Sequence, residues 1–314
     1  MTAHRDVPKY IVVAPSYDEN DGGSIVLHQL CHELNIQGEH ARLWPMERLR
    51  PRKRSVSARF KTLVGRRKGG DWSDVHYRCN GALRTPLAGY NDVGPEDIVV
   101  YPEVIAGNPL RATTVVRWLL HRPGYHTNVV DYSPGDLFFK FDDFSENVSV
   151  TGGGARRLFL FTVNEHYRRR GLRDEDRQGS CYMLRKADAK QLVHDTSESV
   201  LLDGKSHKEI AEIFNRTKYF YCYDEATMYS QFAAICGCIS IVIPVTFGSR
   251  SEWVEKHPLS KYGVAYGMDD IAHARETRHL VRRYLQELEQ ESRSTVRQFI
   301  QFTRQREREP VLDE

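Results

Sequence analysis

Two adjacent cations, Arg185 and Lys186, stand at the end of a short apolar run that begins at residue 180. The run predicts a strand, which places both side chains at its carboxyl end. An arginine can grip a phosphate through two parallel hydrogen bonds, and a lysine adds a compact point charge. The pair is therefore a candidate site for a diphosphate. A merely solvated strand end is the alternative that the residues leave open.

A second polar group, made of Asp224, Glu225 and Thr227, follows the aromatic run over residues 219–223. The residues that come next favour a short helix, ended by Gly237, and then an apolar run typical of a buried parallel strand. Ligands of open α/β sheets bind outside the carboxyl ends of the strands, and a helix N-terminus favours an anionic group. We predict that these three polar residues line such an edge and bind an anionic ligand.

The first half of the chain offers polar residues for a second edge. Asp18 precedes Gly22 and Gly23, which open a predicted helix, while Glu103 and Asn108 follow an apolar strand. Glycine lets a backbone approach a ligand closely, and a carboxylate at a strand end can act as a general base. Glu103 is the preferred catalytic candidate and Asp18 the second, with Gly22, Gly23 and Asn108 as ligand-binding candidates. The alternatives are a plain glycine turn, and a Glu103 that caps or pairs with Arg111.

A dense basic segment lies between these regions. Ten Arg or Lys residues and no acid occur between Arg48 and Lys68. Such a segment is typical of a surface that docks on anionic lipid head groups or on an acidic polymer. A solvated loop is the alternative. Few aromatic residues are interleaved with the cations, so binding of nucleic acid is disfavoured.

Composition limits the class of protein. The 314 residues, 40% of them hydrophobic, suffice for one large or two ordinary packed domains. The net charge of only +3 is unlike that of a protein that coats nucleic acid. The polar N-terminal residues predict no leader, and no apolar run is long enough to predict a membrane span. The six scattered cysteines fit free thiols in a reducing cytoplasm. We expect a cytoplasmic protein, peripheral at the membrane if the basic segment docks there.

Short β-branched runs alternate with amphipathic stretches, the pattern of an α/β protein. The chain opens with a predicted βαβ unit, whose helix Ser24 is expected to cap and on which His28 is a further candidate base. A helix is also predicted over residues 110–120.

The middle and the end of the chain set the predicted domains. Residues 131–144 are rich in Pro, Gly and aromatic residues and are interpreted as a crossing between domains, and residues 158–163 as the first strand of a second series. We predict an N-terminal lobe over residues 1–130, a C-terminal lobe over residues 131–268 and a charged helical tail over residues 269–314. The tail is expected to break or bend near residues 289–294.

The second half of the chain resembles the nucleotide-binding domain of GT-B glycosyltransferases, in particular their retaining, metal-independent group. Arg185 and Lys186 match the cations that bind the donor diphosphate in that group. Asp224 stands at the first acid of the Glu-x7-Glu motif, and Phe232 stands at the second. The run AAICGC, over residues 233–238, matches the small-residue helix end that follows the motif.

The resemblance implies two Rossmann-like lobes with a cleft between them. It implies a nucleotide diphosphate sugar as donor, a glycan or a lipid-linked acceptor, and no metal or other cofactor. Arg185, Lys186 and Thr227 would then meet the charge of the leaving diphosphate. The glycine pair resembles the first loop of the N-terminal lobe. Because Phe232 replaces the acid that holds the donor ribose, that role would pass to Glu225, Gln231 or Glu252.

The stereochemistry of transfer stays open at this point. An inverting enzyme needs a base near the acceptor hydroxyl, for which Glu103 is preferred, whereas a retaining enzyme needs no strong base and Asp224 would help to hold the donor sugar. Two other classes also stay open. One is a nucleotide-sugar epimerase of the same architecture, and the other is a non-catalytic protein that binds a nucleotide sugar or a glycan.

Overall fold

The computed structural model describes residues 7–49, 76–185 and 192–308. The chain divides into two compact units. Unit 1 is Met1–Phe161 together with Glu289–Glu314, and unit 2 is Thr162–Leu288. Each unit is built on its own parallel sheet, and a long helix ends the described chain, so the α/β class is confirmed. Two parallel sheets of this kind are compatible with two Rossmann-like lobes.

Unit 1 contains six described strands in the order β2-β1-β3-β4-β5-β6, with every neighbouring pair parallel. Because β1 lies between β2 and β3, the strand order reverses at β1 and β3, which is where ligands bind in such sheets. The elements are β1 (Tyr10–Ala14), α1 (Gly22–Ile36), β2 (Ala41–Pro45), β3 (Ile98–Pro102), β4 (Thr114–Leu119), β5 (Leu137–Lys140), α2 (Val148–Thr151) and β6 (Arg156–Arg157).

Unit 2 contains five described strands in the order β11-β10-β9-β7-β8, again all parallel. Its strand order reverses between β7 and β9. The elements are β7 (Gln178–Met183), β8 (Ser199–Leu201), α3 (His207–Arg216), β9 (Thr217–Cys222), α4 (Tyr229–Cys236), β10 (Ile239–Val242), α5 (Arg250–Lys256), β11 (Val264–Tyr266) and the first part of α6 (Ile271–Arg308).

Apolar side chains on both faces hold the central strands of unit 1. Val12 and Val100 pack with α1 and with Phe299 of α6 on one face, while Ile11 and Val99 pack on the other. A parallel strand buried on both faces needs such a run without alternation. This requirement explains the apolar strand predicted before Glu103, which is confirmed as β3. The predicted βαβ unit at the start of the chain is confirmed as β1, α1 and β2.

The predicted helix over residues 110–120 is wrong, because residues 114–119 form β4 between β3 and β5. Val115, Val116 and Trp118 are all buried there. β-branched and aromatic side chains fit a pleated surface better than a helix.

Two further expectations for the middle of the chain are also wrong. Residues 131–144 do not only cross between domains, since they contain β5, which pairs with β4. Residues 158–163 form no strand. Their backbone instead bonds side chains of α6: Thr295 Oγ1 accepts from Phe159 N at 3.2 Å and Ser292 Oγ accepts from Phe161 N at 2.8 Å. The two compact units divide at Phe161 and at Leu288, whereas the lobes were predicted to divide at residues 130 and 268.

The last helix, α6, runs without interruption through residues 289–294, so the break expected there is wrong, whereas the alternative of a bend stays a prediction. No Gly or Pro occurs within it, and these are the residues that usually break a helix. The passage from unit 2 to unit 1, at Leu288 and Glu289, falls inside the uninterrupted helix. None of the helices in the described ranges is both long and apolar enough to cross a membrane.

Candidate functional site

The carboxyl edge of the unit 2 sheet carries the first candidate site. Arg185 follows β7 and Asp224 follows β9, and these are the two strands between which the strand order reverses. The guanidinium carbon of Arg185 lies 5.2 Å from the ring centroid of Tyr229, the first residue of α4. The Arg185 side chain is exposed, and among the described residues no acid pairs with it. The structure therefore places an available cation beside the start of a helix at the carboxyl edge of the sheet, which is the edge where open α/β sheets generally bind ligands.

Asp224 and Thr227 shape the turn that leads into α4. Asp224 Oδ1 accepts a hydrogen bond from Ala226 N at 3.1 Å, and Thr227 Oγ1 accepts from Tyr229 N at 3.4 Å. Met228 stands at the N-cap position of α4, and its side chain makes no capping hydrogen bond. The edge predicted from residues 224–227 is thus present. The partner of Arg185 in that prediction, Lys186, lies outside the described residues.

Glu225 serves as a clamp within unit 2. Its Oε1 accepts hydrogen bonds from Val245 N at 2.8 Å, Thr246 N at 3.0 Å and the Tyr266 hydroxyl at 2.6 Å. Its backbone carbonyl accepts from Trp253 Nε1 at 3.0 Å. Because these partners follow β10, lie in α5 or end β11, Glu225 ties the carboxyl ends of three strands together. Its carboxylate is engaged by the protein itself, whereas the sequence predicts that it binds donor.

Replacing Glu225 with glutamine is expected to lower the free energy of unfolding by about 1–2 kcal/mol at pH 7, because the charged acceptor of several hydrogen bonds is lost. Burial alone raises the pKa of Glu225, but the hydrogen bonds from Thr246, Tyr266 and Val245 outweigh it and lower the pKa. The stabilisation is therefore present above the unfolded pKa of about 4.3 and is lost as the pH falls through the folded value.

Urea denaturation of both proteins between pH 3 and 7 measures this difference. The gap in stability should be full at neutral pH and shrink on acidification. Glu255→Gln is the matched control, since Glu255 is exposed and, among the residues that the structure describes, pairs only with its neighbour Lys256. A difference in the free energy of unfolding that does not change with pH would contradict the role assigned to the Glu225 carboxylate.

Phe232 stands where the resemblance expects a second acid, and the structure shows why an apolar ring fits there. The residue is 8% exposed and its ring stacks on that of Tyr167, with 4.1 Å between centroids and 9° between planes. It belongs to the apolar core of unit 2 formed by α3, α4 and the sheet. The position faces that core, which sequence spacing alone does not reveal.

The carboxyl edge of the unit 1 sheet carries the second candidate site. Glu103 directly follows β3, is 5% exposed, and accepts a hydrogen bond from Leu120 N through Oε2 at 3.1 Å. Burial raises the pKa of its carboxyl group. Its carbonyl oxygen accepts from the Tyr132 hydroxyl at 2.6 Å. Glu103 thus joins the ends of β3 and β4, and the alternative pairing with Arg111 is not seen.

The glycine pair forms the first turn of α1. Asp21 caps this helix and accepts hydrogen bonds from Gly23 N and Ser24 N, so the expectation that Ser24 is the cap is wrong. The Asp21 carboxylate already occupies N–H groups that an anionic ligand would need. A Cβ at Gly22 would meet no heavy atom within 4 Å, so packing within the chain does not require glycine there. Asp18 is exposed, and its carbonyl accepts from Ser24 Oγ at 2.8 Å.

Two other candidates in unit 1 are engaged in its own structure. Asn108 donates to Ala112 O at 2.8 Å and accepts from Ala112 N and from the Tyr101 hydroxyl, each at 3.2 Å. His28 is fully buried, with Nε2 2.9 Å from Pro15 O, and burial lowers its pKa. An inaccessible imidazole is poorly placed to act as a base on an incoming substrate.

Most of the basic segment lies outside the described residues, so its docking role stays a prediction. Only its start is described. Arg48 Nη1 donates to Ala88 O at 2.7 Å, and its guanidinium lies over the rings of Trp44 and Tyr90 at 4.7 and 4.8 Å. Arg48 is therefore part of the packing of unit 1.

Arg117 was not singled out by the sequence because it lies in an expected helix as an outward residue. It is fully buried and its Nε donates to Asp136 Oδ2 at 2.7 Å. Its other nitrogens donate to the carbonyls of Ile105 and Gly107. The guanidinium thereby holds the loop that follows Glu103. An arginine inside an otherwise apolar β-branched run is the signal that could have found it.

Comparison with known proteins adds no family to these observations. No model of a known protein family matches the chain, and no curated protein sequence matches it significantly. Where the described residues are concerned, no three His, Cys, Asp or Glu side chains come together as metal ligands, so no residue is assigned to a metal.

Proposed function

We propose that this protein is a glycosyltransferase that moves a sugar from a nucleotide diphosphate sugar to a hydroxyl of a glycan or of a lipid-linked acceptor. The observation that carries the proposal is Arg185. It is an exposed cation without an acid partner among the described residues, it lies at the point where the strand order of unit 2 reverses, and it touches the first residue of α4.

The chemistry of transfer explains why such a cation matters. Cleavage of the donor leaves a nucleoside diphosphate, whose negative charge grows as the sugar departs. Fixed donors and cations aimed at that charge stabilise the transition state. Arg185 and Lys186 would supply the cations, and backbone N–H groups at the start of α4 near Thr227 would supply further donors. No metal is assigned a step in this scheme.

Unit 1 would supply the acceptor side. A general base works best when its pKa lies near the working pH. Burial raises the pKa of Glu103, which supports its role as base if the reaction inverts the sugar. Asp18 is the second candidate and is exposed at the end of β1. If the reaction retains configuration, Asp224 would instead help to orient the donor sugar.

A thermal-shift screen against UDP-, GDP-, dTDP- and CMP-sugars tests the proposal. A ligand that binds the folded state raises its stability by mass action, by about 2.7 kcal/mol at a hundred times its Kd. We expect at least one nucleotide sugar to raise the midpoint and Arg185→Ala/Lys186→Ala to abolish the rise. The matched control is Arg168→Ala/Arg170→Ala, which removes two exposed arginines of the same unit from a segment bound to Asn215 of α3.

Product analysis then separates the classes of protein. A transferase turns over rapidly only when an acceptor hydroxyl is present. An epimerase releases an isomerised nucleotide sugar or its elimination product without an acceptor, and a binding protein leaves the ligand unchanged. A wild-type protein that no nucleotide sugar stabilises contradicts the proposal.

A further inference from the structure

We propose that Asp203 is a positioning residue for Arg185, an inference that rests on the proposed donor site. Asp203 follows β8, which pairs with β7, and so approaches the end of β7 from the neighbouring strand. Its Oδ2 accepts a hydrogen bond from Leu184 N at 2.8 Å and its Oδ1 accepts from Arg185 N at 2.7 Å. One carboxylate therefore holds two consecutive N–H groups of the segment that carries the cation.

The conformation that these bonds hold is an uncommon one. Arg185 has a φ of 43°, in the left-handed region that a residue with a Cβ seldom adopts. No other non-glycine residue described in unit 2 has a positive φ. A residue keeps such a backbone conformation only where the surrounding structure holds it in place, and hydrogen bonds to a charged acceptor are strong enough to do so. The Asp203 carboxylate is that charged acceptor.

The direction of the Arg185 side chain follows from this backbone. The guanidinium lies over the Tyr229 ring at 5.2 Å, in the geometry of a cation–π contact. A change of backbone conformation at Arg185 would change the direction of its Cα–Cβ bond and with it the path of the side chain. Asp203 thus fixes the cation where a diphosphate at the start of α4 would meet it, without itself touching the ligand.

Calorimetric titration of the full chain tests this role. The two probes are the nucleoside diphosphate contained in the nucleotide diphosphate sugar that gives the largest thermal shift, and the parent nucleoside. We expect Asp203→Ala to weaken binding of the diphosphate about tenfold to a hundredfold, as Arg185→Ala does, because a charged hydrogen bond to the ligand is lost in both. Binding of the nucleoside should stay unchanged. The double variant Arg185→Ala/Asp203→Ala should bind the diphosphate no more weakly than Arg185→Ala, since the two changes remove the same interaction with the ligand.

The matched control is Asp195→Ala, which removes a carboxylate from the connection between β7 and β8 that also contains Arg185. Asp195 is exposed, and its Oδ1 accepts from Ser197 N at 2.9 Å rather than from the backbone of Arg185. It should bind both probes like the wild type.

A second measurement needs no ligand. Arg185→Gly and Arg185→Ala both lack the guanidinium, but only glycine tolerates a positive φ without strain. We expect the glycine variant to have the higher thermal midpoint, and a lower one would overturn the strained backbone on which the proposal stands.

The outcomes separate the two proposals. Diphosphate binding that Arg185→Ala weakens and Asp203→Ala leaves intact overturns the positioning role and leaves the donor site standing. An Asp203→Ala protein that loses the nucleoside as much as the diphosphate shows a merely structural carboxylate. A wild-type protein that binds no nucleoside diphosphate overturns both.

Discussion

Replacing Arg117 with methionine is expected to lower the free energy of unfolding of unit 1 by about 3–5 kcal/mol, because it leaves a buried carboxylate without its partner. Arg117 is fully buried and its ion pair with Asp136 has an N–O distance of 2.7 Å. The guanidinium also lies between the rings of Tyr101 and Tyr132, at 4.9 and 4.8 Å. Methionine restores none of these polar contacts.

Replacing Arg117 should also affect Glu103, the candidate base. Arg117 donates to the carbonyls of Ile105 and Gly107, which lie in the loop that begins at Glu103. When these bonds are lost, the loop loses its anchor, and activity should fall even under conditions in which the sheet stays folded.

Urea denaturation in a Trp253→Phe background measures the change, since Trp253 is the one tryptophan of unit 2. Tryptophan fluorescence then reports on unit 1. Arg157→Met is the matched control. Its side chain is 44% exposed and pairs with Glu291, so its loss should cost no more than about 1 kcal/mol.

The double change Arg117→Met/Asp136→Leu should regain part of the loss, because it leaves neither charge buried alone. Equal effects of Arg117→Met and Arg157→Met would contradict the account of the buried pair.

Replacing Phe232 with glutamate is expected to destabilise unit 2 by about 3–5 kcal/mol rather than to improve the donor site. The change removes a buried aromatic side chain, which costs this much by itself in apolar cores, and it buries a carboxylate with no cation assigned to it. The stack on Tyr167, with centroids 4.1 Å apart, is also lost.

Thermal unfolding with and without the nucleotide sugar tests this expectation. Phe232→Leu is the matched control, since it keeps an apolar side chain and should cost at most about 2 kcal/mol. Under conditions in which they remain folded, Phe232→Glu and Phe232→Leu should both bind the nucleotide sugar like the wild type. A Phe232→Glu protein of native stability with tighter nucleotide binding would show instead that position 232 faces the ligand.

Local signals were sufficient for much of unit 2. The predicted strand, helix and strand between residues 219 and 245 are confirmed as β9, α4 and β10, and Gly237 ends the helix with a φ of 103°. Ser206 caps α3, with a capping box to Glu209. Each of these features depends on residues close together in the chain, so the sequence expresses them directly.

The roles of the candidate residues depended on distant partners. Glu225 has the residue type and the position of a ligand-binding acid, yet its carboxylate bonds Thr246 and Tyr266, which are far along the chain. Glu103 bonds Leu120 in the same way. No local sequence pattern distinguishes a carboxylate that accepts hydrogen bonds from neighbouring loops from one that binds a substrate.

Sequence patterns alone were enough to predict the α/β class, most strand and helix positions in unit 2, and Arg185 as a cation at the end of a strand. The folded chain was needed to show that residues 114–119 form a strand, that Phe232 faces the core, and that Asp203 bonds the backbone of Arg185. The difference lies in the range of the interactions. Periodicity and capping act within one or two turns of chain, whereas burial between strands and hydrogen bonds across a sheet edge join residues that only folding brings together.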